Sequence, residues 1–160
     1  MAKNKSSAKE SSGPKVLVNR RARYDYEFLS TYEAGIALVG SEVKSVFLGR
    51  VNMTDAYAKI QDDELWLVSL DIEPYSHAGP WQPDRRRDRK LLMHRKEIDL
   101  LQRRSQEKGL ALVPTQIYFK NGRVKVEIAL ARGKRQYDKR QAVAQKEERR
   151  EMERARGMKR

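Results

Sequence analysis

The sequence predicts a mainly β chain with short helices: an antiparallel barrel of about six strands, flanked by basic tails that are disordered on their own. Three observations predict it. In "QIYFKNGRVKVEIALA" (116–131), apolar and polar residues alternate on both sides of Asn121-Gly122, a pair that tolerates the positive φ of a type I′ hairpin turn. In "AYAKIQDDELWLVSLDI" (56–72) a second alternating pair of runs flanks Asp62-Asp63. Helical periodicity is confined to two short stretches.

Residues 1–15, "MAKNKSSAKESSGPK", carry no apolar period and cannot bury enough surface to offset the loss of chain entropy. "KVLVN" opens the patterned region. In "YDYEFLSTY" (24–32) Tyr24, Tyr26, Phe28 and Tyr32 fall on alternate positions of an expected strand, and "EAGIALVG" (33–40) reads as another. "GSEVKSVFLG" (40–49) suits a short helix with Ser41 as N-cap, Val43, Val46 and Phe47 inward, and Gly49 ending it. The first hairpin places Ile60, Leu65 and Leu67 inward. "LLMHRKEIDLLQRRSQEKG" (91–109) sets Leu91, Ile98 and Leu101 at helical spacing, with Gly109 at its stop. The last hairpin turns Ile117, Phe119, Val124, Val126, Ile128 and Leu130 inward, with Leu130 ending the strand and Gly133 releasing the chain. Six short strands with helices over the openings suit an OB-like barrel over residues 16–132, because closure removes exposed strand edges.

Charge constrains the partner. The chain has 160 residues, a net charge of +13 and a pI near 10.1. Residues 133–160 hold eleven Lys and Arg against five Asp and Glu, a net +6; residues 1–15 add +3, so +4 remains between them. Such a balance points to nucleic acid. There is no cysteine, which excludes disulfides, thiolate metal sites and cysteine nucleophiles. No run approaches the ~18 apolar residues of a membrane helix, and the first residues lack the apolar stretch of a signal peptide; a cytoplasmic protein is expected.

No catalytic or metal constellation stands out, and no cofactor is expected. His77 and His94 lack nucleophile or ligand partners at useful spacing, and the acids at 62–64 read as a solvated turn. Binding motifs are richer. "NRRARYDY" combines Asn19, Arg20, Arg21 and Arg23 with Tyr24, joining phosphate contacts to a ring on which an unstacked base can lie. "PDRRRDRK" (83–90) reads as a mobile, phosphate-contacting arm carrying Arg85, Arg86, Arg87, Arg89 and Lys90, with Trp81 available to stack. In "GSEVKS", Glu42 either favours a helix dipole or, on an RNA-facing surface, accepts hydrogen bonds from base amino groups.

In order, "NRRARYDY", "EAGIALVGSEVKS", "GRVNMTDAYAKI", "DRRRDRKLLMHRKEI" and "GLALVPTQIYFKNGRVKVEIALARGKRQYDKR" resemble the SsrA-binding protein family, also called small protein B or SmpB. The resemblance spans residues 16–140. It implies a bacterial cytoplasmic protein without enzymatic activity, whose OB-type barrel binds the tRNA-like domain of transfer-messenger RNA (tmRNA) in place of an anticodon arm. It implies delivery of that RNA to ribosomes stalled on broken messages, so that the incomplete peptide is tagged for degradation. Carried onto matching positions, Asn19, Arg23, Tyr24, Glu42, Lys44 and Ser45 face the RNA, joined by Arg21 and Arg50.

Residues 133–160 become the ribosome-binding tail, disordered when free and helical in the message channel. Gly133, Lys134, Arg135, Tyr137, Asp138, Lys139 and Arg140 lie at its root. Further implied partners are small-subunit rRNA, the decoding centre and, through the aminoacylated RNA, elongation factor Tu; no membrane is implied. The chain departs from the usual family pattern in carrying Tyr24 and Tyr137 where histidine is common, and Phe47 where arginine is common, with Arg50 as the candidate replacement. The rival readings are a ribosome-associated OB-fold rRNA binder without a tmRNA partner, and a barrel nuclease, which lacks a supporting constellation.

Overall fold

The protein is seen in a computed structural model that describes residues 14–107 and 109–157. The expected N-terminal tail lies outside these residues except for Pro14 and Lys15, and so does the side chain of Tyr137. In chain order the elements are β1 (Leu17–Val18), α1 (Arg20–Asp25), β2 (Tyr26–Ile36), α2 (Gly40–Phe47), β3 (Val51–Asn52), β4 (Tyr57–Gln61), β5 (Glu64–Val68), β6 (Asp71–Ile72) and β7 (Arg89–Leu92). They continue with α3 (Arg95–Ser105), β8 (Leu110–Lys120), β9 (Arg123–Gly133) and α4 (Gln136–Gly157).

Six strands run round a ring in the order β8, β4, β5, β7, β2, β9, with β9 pairing back onto β8, all antiparallel. The seam between β4 and β8 is thinnest, a single register pair of Ala58 with Leu112. Strand β1 adds to the outer edge of β8, and β3 pairs with β6 separately. This is the six-stranded OB-like arrangement that hairpin counting predicts.

Both hairpin turns follow their residue chemistry: Asn121 and Gly122 have φ 52 and 72, and Asp62 and Asp63 have φ 52 and 61. The core holds Leu65, Leu67, Leu91, Ile117, Val126, Ile128 and Leu130 of the strands, and Ile98 and Leu101 of α3 and Val46 of α2 join the same buried cluster. Burial of such aliphatic side chains, at about 25 cal/mol per Å² of apolar surface, is the main force holding the barrel.

Four local expectations change. "RARYD" is helical: the Oδ1 of Asn19 accepts from the Ala22 N–H at 3.1 Å, and Arg21 pairs with Asp25 one turn on. A capped first turn outweighs the alternation of Tyr24 and Tyr26. "YEFLSTYEAGI" is one strand rather than two, its register shifted by a bulge between Phe28 and Ser30. Helix α2 starts from Val39, not Ser41, and leaves Phe47 half exposed against Phe119, ring centroids 5.9 Å apart. Leu91 belongs to β7 rather than to α3, which ends at Ser105, well before Gly109.

The last hairpin is longer than the alternation alone suggests. β8 begins at Leu110 and passes through Pro114, which sits at a bulge between Pro114 and Gln116 where a missing N–H is tolerated. β9 continues beyond Leu130 to Gly133, which pairs with Tyr26.

Candidate nucleic-acid interface

Three of the residues expected to face RNA are buried, and each holds the fold together. Asn19 spends its whole side chain internally: Nδ2 donates to the carbonyls of Met53 (3.1 Å) and Pro114 (2.9 Å), while Oδ1 caps α1. Its backbone N–H donates to the Thr115 carbonyl at 2.8 Å, so the β8 bulge supplies the acceptors that fix α1 against the barrel. Ser45 is fully buried and its Oγ donates to the Glu73 carbonyl at 2.7 Å.

Glu42 is 3% exposed, and its carboxylate is fully engaged. Oε2 accepts from the Val39 N–H at 3.0 Å and from Arg87 Nη2 at 2.6 Å; Oε1 accepts from Arg89 at 2.7 and 3.0 Å and from Arg87 Nε at 3.0 Å. Burial pushes its pKa up, but the two guanidiniums and the Val39 amide outweigh this and hold the carboxyl below its ordinary range. Arg89 is 0% exposed; burial lowers its pKa and Glu42 offsets part of that. Its other donors reach the carbonyls of Leu70, Arg87 and Arg85. A desolvated charge is tolerable because each hydrogen-bonding group has a partner. Glu42 is therefore not an exposed base-reading carboxylate in this chain.

"PDRRRDRK" is accordingly a tied strap rather than a loose arm. Arg85 makes a two-pronged pair with Asp71 (2.9 and 3.2 Å), and Arg86 reaches Asp71 and Asp55 at 3.9 and 4.0 Å. Arg87 and Arg89 clasp Glu42, and Lys90, within β7, meets Glu64 at 2.6 Å. The acids that satisfy these cations lie 14 to 47 residues away, so spacing along the chain held no signal for them. Trp81, just before the strap, is 94% exposed.

Arg85 and Arg86 keep much of their surface exposed, and a further group of exposed cations lies where α1 meets the start of α4. Arg20, Arg21, Arg23 and Tyr24 are exposed on α1, and Arg132, Arg135 and Arg140 are exposed across from them. Lys44 is exposed on α2, its Nζ 5.1 Å from the Tyr75 ring centre; Arg50 is exposed just beyond that helix. Asp138 is exposed in the first turn of α4, where a carboxylate favours the helix dipole.

Asp25 is a residue beside this exposed group that sequence reasoning passed over. Its Oδ2 accepts from Arg21 Nε at 2.7 Å and its Oδ1 lies 3.1 Å from Lys139 Nζ. The spacing of Arg21 and Asp25 was available as a helical i,i+4 signal, hidden by the strand reading. A second missed network joins Glu33 to the Tyr118 hydroxyl and to Lys120; burial, then Glu33, pushes the Tyr118 phenol up to about 12. Among the described residues no group of three or more His, Asp or Glu is placed to hold a metal ion.

Residues 16–158 match the family model described as SmpB protein. The SsrA-binding protein of Thermobifida fusca is 52% identical over 157 residues, covering 97% of each chain. That of Oleidesulfovibrio alaskensis is 51% identical over 146 residues, 91% of this chain and 94% of its own. Among solved structures, a chain described under "tmRNA-SmpB: a journey to the center of the bacterial ribosome" superposes with a TM-score of 0.66 at 51% identity, covering 80% of this chain and 94% of that one. Fold, strap and basic α1 surface thus sit in a sequence that matches this group along nearly all its length, and the chain belongs to the SmpB protein family.

Proposed function

We propose that this protein binds the tRNA-like domain of tmRNA, delivers it to ribosomes stalled on truncated messages, and acts in trans-translation by shape and charge rather than by chemistry. The observation that carries the reading is the 51% identity to the SmpB chain of a tmRNA-SmpB ribosome structure. The exposed arginines of α1 support it: phosphate contacts need exposed guanidiniums, and Arg20, Arg21 and Arg23 are exposed, whereas Arg87 and Arg89 of the strap are committed to Glu42. Arg20, Arg21, Arg23 and Tyr24, with Lys44 and Arg50, form the RNA-facing set; Asn19, Glu42 and Ser45 act by holding α1 and α2 in place.

Residues 133–160 form the ribosome-directed tail. Its helix is nearly all exposed and has almost no core to join, so it is marginal in water and is completed by rRNA in the message channel. Lys134, Arg135, Lys139 and Arg140 meet phosphate there. The chain acts in the cytoplasm, is not an enzyme, and meets elongation factor Tu through the aminoacylated RNA.

Filter binding at fixed salt tests the reading. The tRNA-like domain should bind at least tenfold tighter than a random RNA of equal length, a discrimination of about 1.4 kcal/mol. Equal affinity for both would favour a general rRNA binder and overturn the tmRNA assignment.

A further inference from the structure

The segment that joins β6 to β7 is held by hydrogen bonds of its own. The Ala78 N–H donates to the Tyr75 carbonyl at 3.1 Å, and Gln82 Nε2 donates to the same carbonyl at 2.8 Å and to that of Gly79 at 3.4 Å. Gly79, with φ 73, supplies the left-handed residue that this turn requires. The base of the segment is stitched to α2 and the residues after it: Ser45 Oγ donates to the Glu73 carbonyl at 2.7 Å, and the Glu73 N–H donates to the Arg50 carbonyl at 3.1 Å. Trp81 lies within this tied segment, between Pro80 and Gln82, and is nevertheless 94% exposed. Its indole adds next to nothing to the packing of the loop, which holds it out to solvent.

We propose that Trp81 is a stacking platform for one unstacked base of single-stranded RNA, a binding site carried by the β6–β7 loop rather than by α1. A flat ring on a loop that is already closed meets the π-face of any base without first ordering the chain. Two cations can take the neighbouring phosphates. Lys44 is exposed, its Nζ 5.1 Å from the ring centre of Tyr75, whose carbonyl Gln82 holds. Arg86 meets its nearest acids only at 3.9 and 4.0 Å, its side chain 55% exposed. It follows Trp81 within about 17 Å of extended chain. Asp71, Asp84 and Asp88 offset much of the charge of the strap, so recognition here rests on the ring and not on a run of cations. A protein partner fits less well, because the centre of a protein interface is depleted of charge, and the exposed residues that follow this loop are Asp84, Arg85 and Arg86. The site rests on the RNA-binding reading above, but not on tmRNA being the RNA.

The test uses the full chain and its own fluorescence. There are two tryptophans, so Trp66→Phe leaves Trp81 as the single emitter. A single-stranded RNA of about twelve nucleotides and mixed sequence, added at low salt, should quench that emission by about half. The same RNA paired with its complement should quench it by less than about a tenth, because its bases stay stacked on one another. In the otherwise unchanged chain, Trp81→Ala and Trp81→Leu should weaken binding of the single strand about tenfold, while Trp81→Phe, which keeps a ring, stays within about threefold of wild type. Binding without quenching, equal affinity for wild type and Trp81→Ala, or rescue by leucine as good as by phenylalanine overturns the proposal. Lys44→Ala and Arg86→Ala should each lower the slope of log affinity against log salt by about 0.7 and leave the quenching in place. Slopes unchanged in both overturn the phosphate contacts.

The base can come from the tRNA-like domain or from small-subunit rRNA, and two further titrations separate these sources. Weaker binding of the isolated tRNA-like domain by Trp81→Ala assigns the base to tmRNA. Unchanged affinity for that domain, with about tenfold weaker binding to isolated small ribosomal subunits, assigns it to rRNA. Unchanged affinity for both overturns the site, and if tagging on a truncated message falls all the same, the ring meets a protein and not a base. Failure of the wild-type chain to prefer the tRNA-like domain over random RNA would instead count against the function proposed above and leave the quenching result standing.

Discussion

Glu42 and Arg23 carry opposite charges and do different work. Glu42→Ala removes the partner of two guanidiniums, one of them wholly buried, and an uncompensated buried charge costs about 3–5 kcal/mol. The expected result in urea unfolding is a large drop in midpoint. RNA binding should then fail through loss of α2 and the strap, on specific and random RNA alike. Arg23→Ala leaves the melt within about 0.5 kcal/mol, as exposed substitutions do. It weakens RNA binding and lowers the slope of log affinity against log salt by about 1 if it meets one phosphate.

Acid should act through the same carboxylate. The folded pKa of Glu42 lies below its ordinary 4.5, so the folded state holds its proton less tightly than the unfolded chain. That stability is fully present above the ordinary value and is lost as pH falls through the folded one. Asp25 shifts in the same direction, where burial raises the pKa but Lys139 and Arg21 more than offset it. A pH series of melts should therefore show a fall below about pH 4.5 that Glu42→Gln flattens.

At the level of elements, legibility followed the range of the interactions. The last hairpin was readable because its cause is local: two residues that accept positive φ between two alternating runs. Gly122→Ala tests this, since a Cβ in the left-handed region at φ 72 costs about 1–2 kcal/mol even though it meets no neighbour. Its effect should appear as a lower melting midpoint with RNA affinity unchanged.

Helix α1 was misread because two local signals compete in "NRRARYDY". Alternation of Tyr24 and Tyr26 argues for a strand, and the Asn19 cap with the Arg21–Asp25 pair argues for a helix. The tie is broken by Met53, Pro114 and Thr115, which hold Asn19 from other parts of the chain. Arg87 and Arg89 were misread for a similar reason, as their acid lies in α2. Helix α4 has the opposite character, with few contacts of any range beyond its root. An excised 136–157 peptide should show minor helicity by circular dichroism that trifluoroethanol raises.

Across the whole molecule, charge and burial divide the labour. The strap commits Arg87 and Arg89 to Glu42, while other cations, those of α1 and of the start of the tail among them, stay exposed. Composition alone suggested a nucleic-acid partner, but which arginines are tied to acids within the protein depended on tertiary pairing. Of the residues that the family pattern carries over, Asn19, Glu42 and Ser45 are buried, because a pattern of residues does not distinguish an exposed side chain from the support beneath it. Phe47, half exposed against Phe119, marks a place where this chain presents an aromatic edge rather than a cation.

The central claim is that barrel and tail perform separable steps of one rescue reaction. A reconstituted translation reaction stalled on a truncated message, supplied with aminoacylated tmRNA and either the full chain or a chain ending at Arg132, tests it most directly. Binding of the tRNA-like domain should be within a few-fold of the full chain, at a cost of about 1 kcal/mol or less, while peptide tagging disappears. A truncated chain that still tags, or one that loses the RNA domain altogether, would contradict the account.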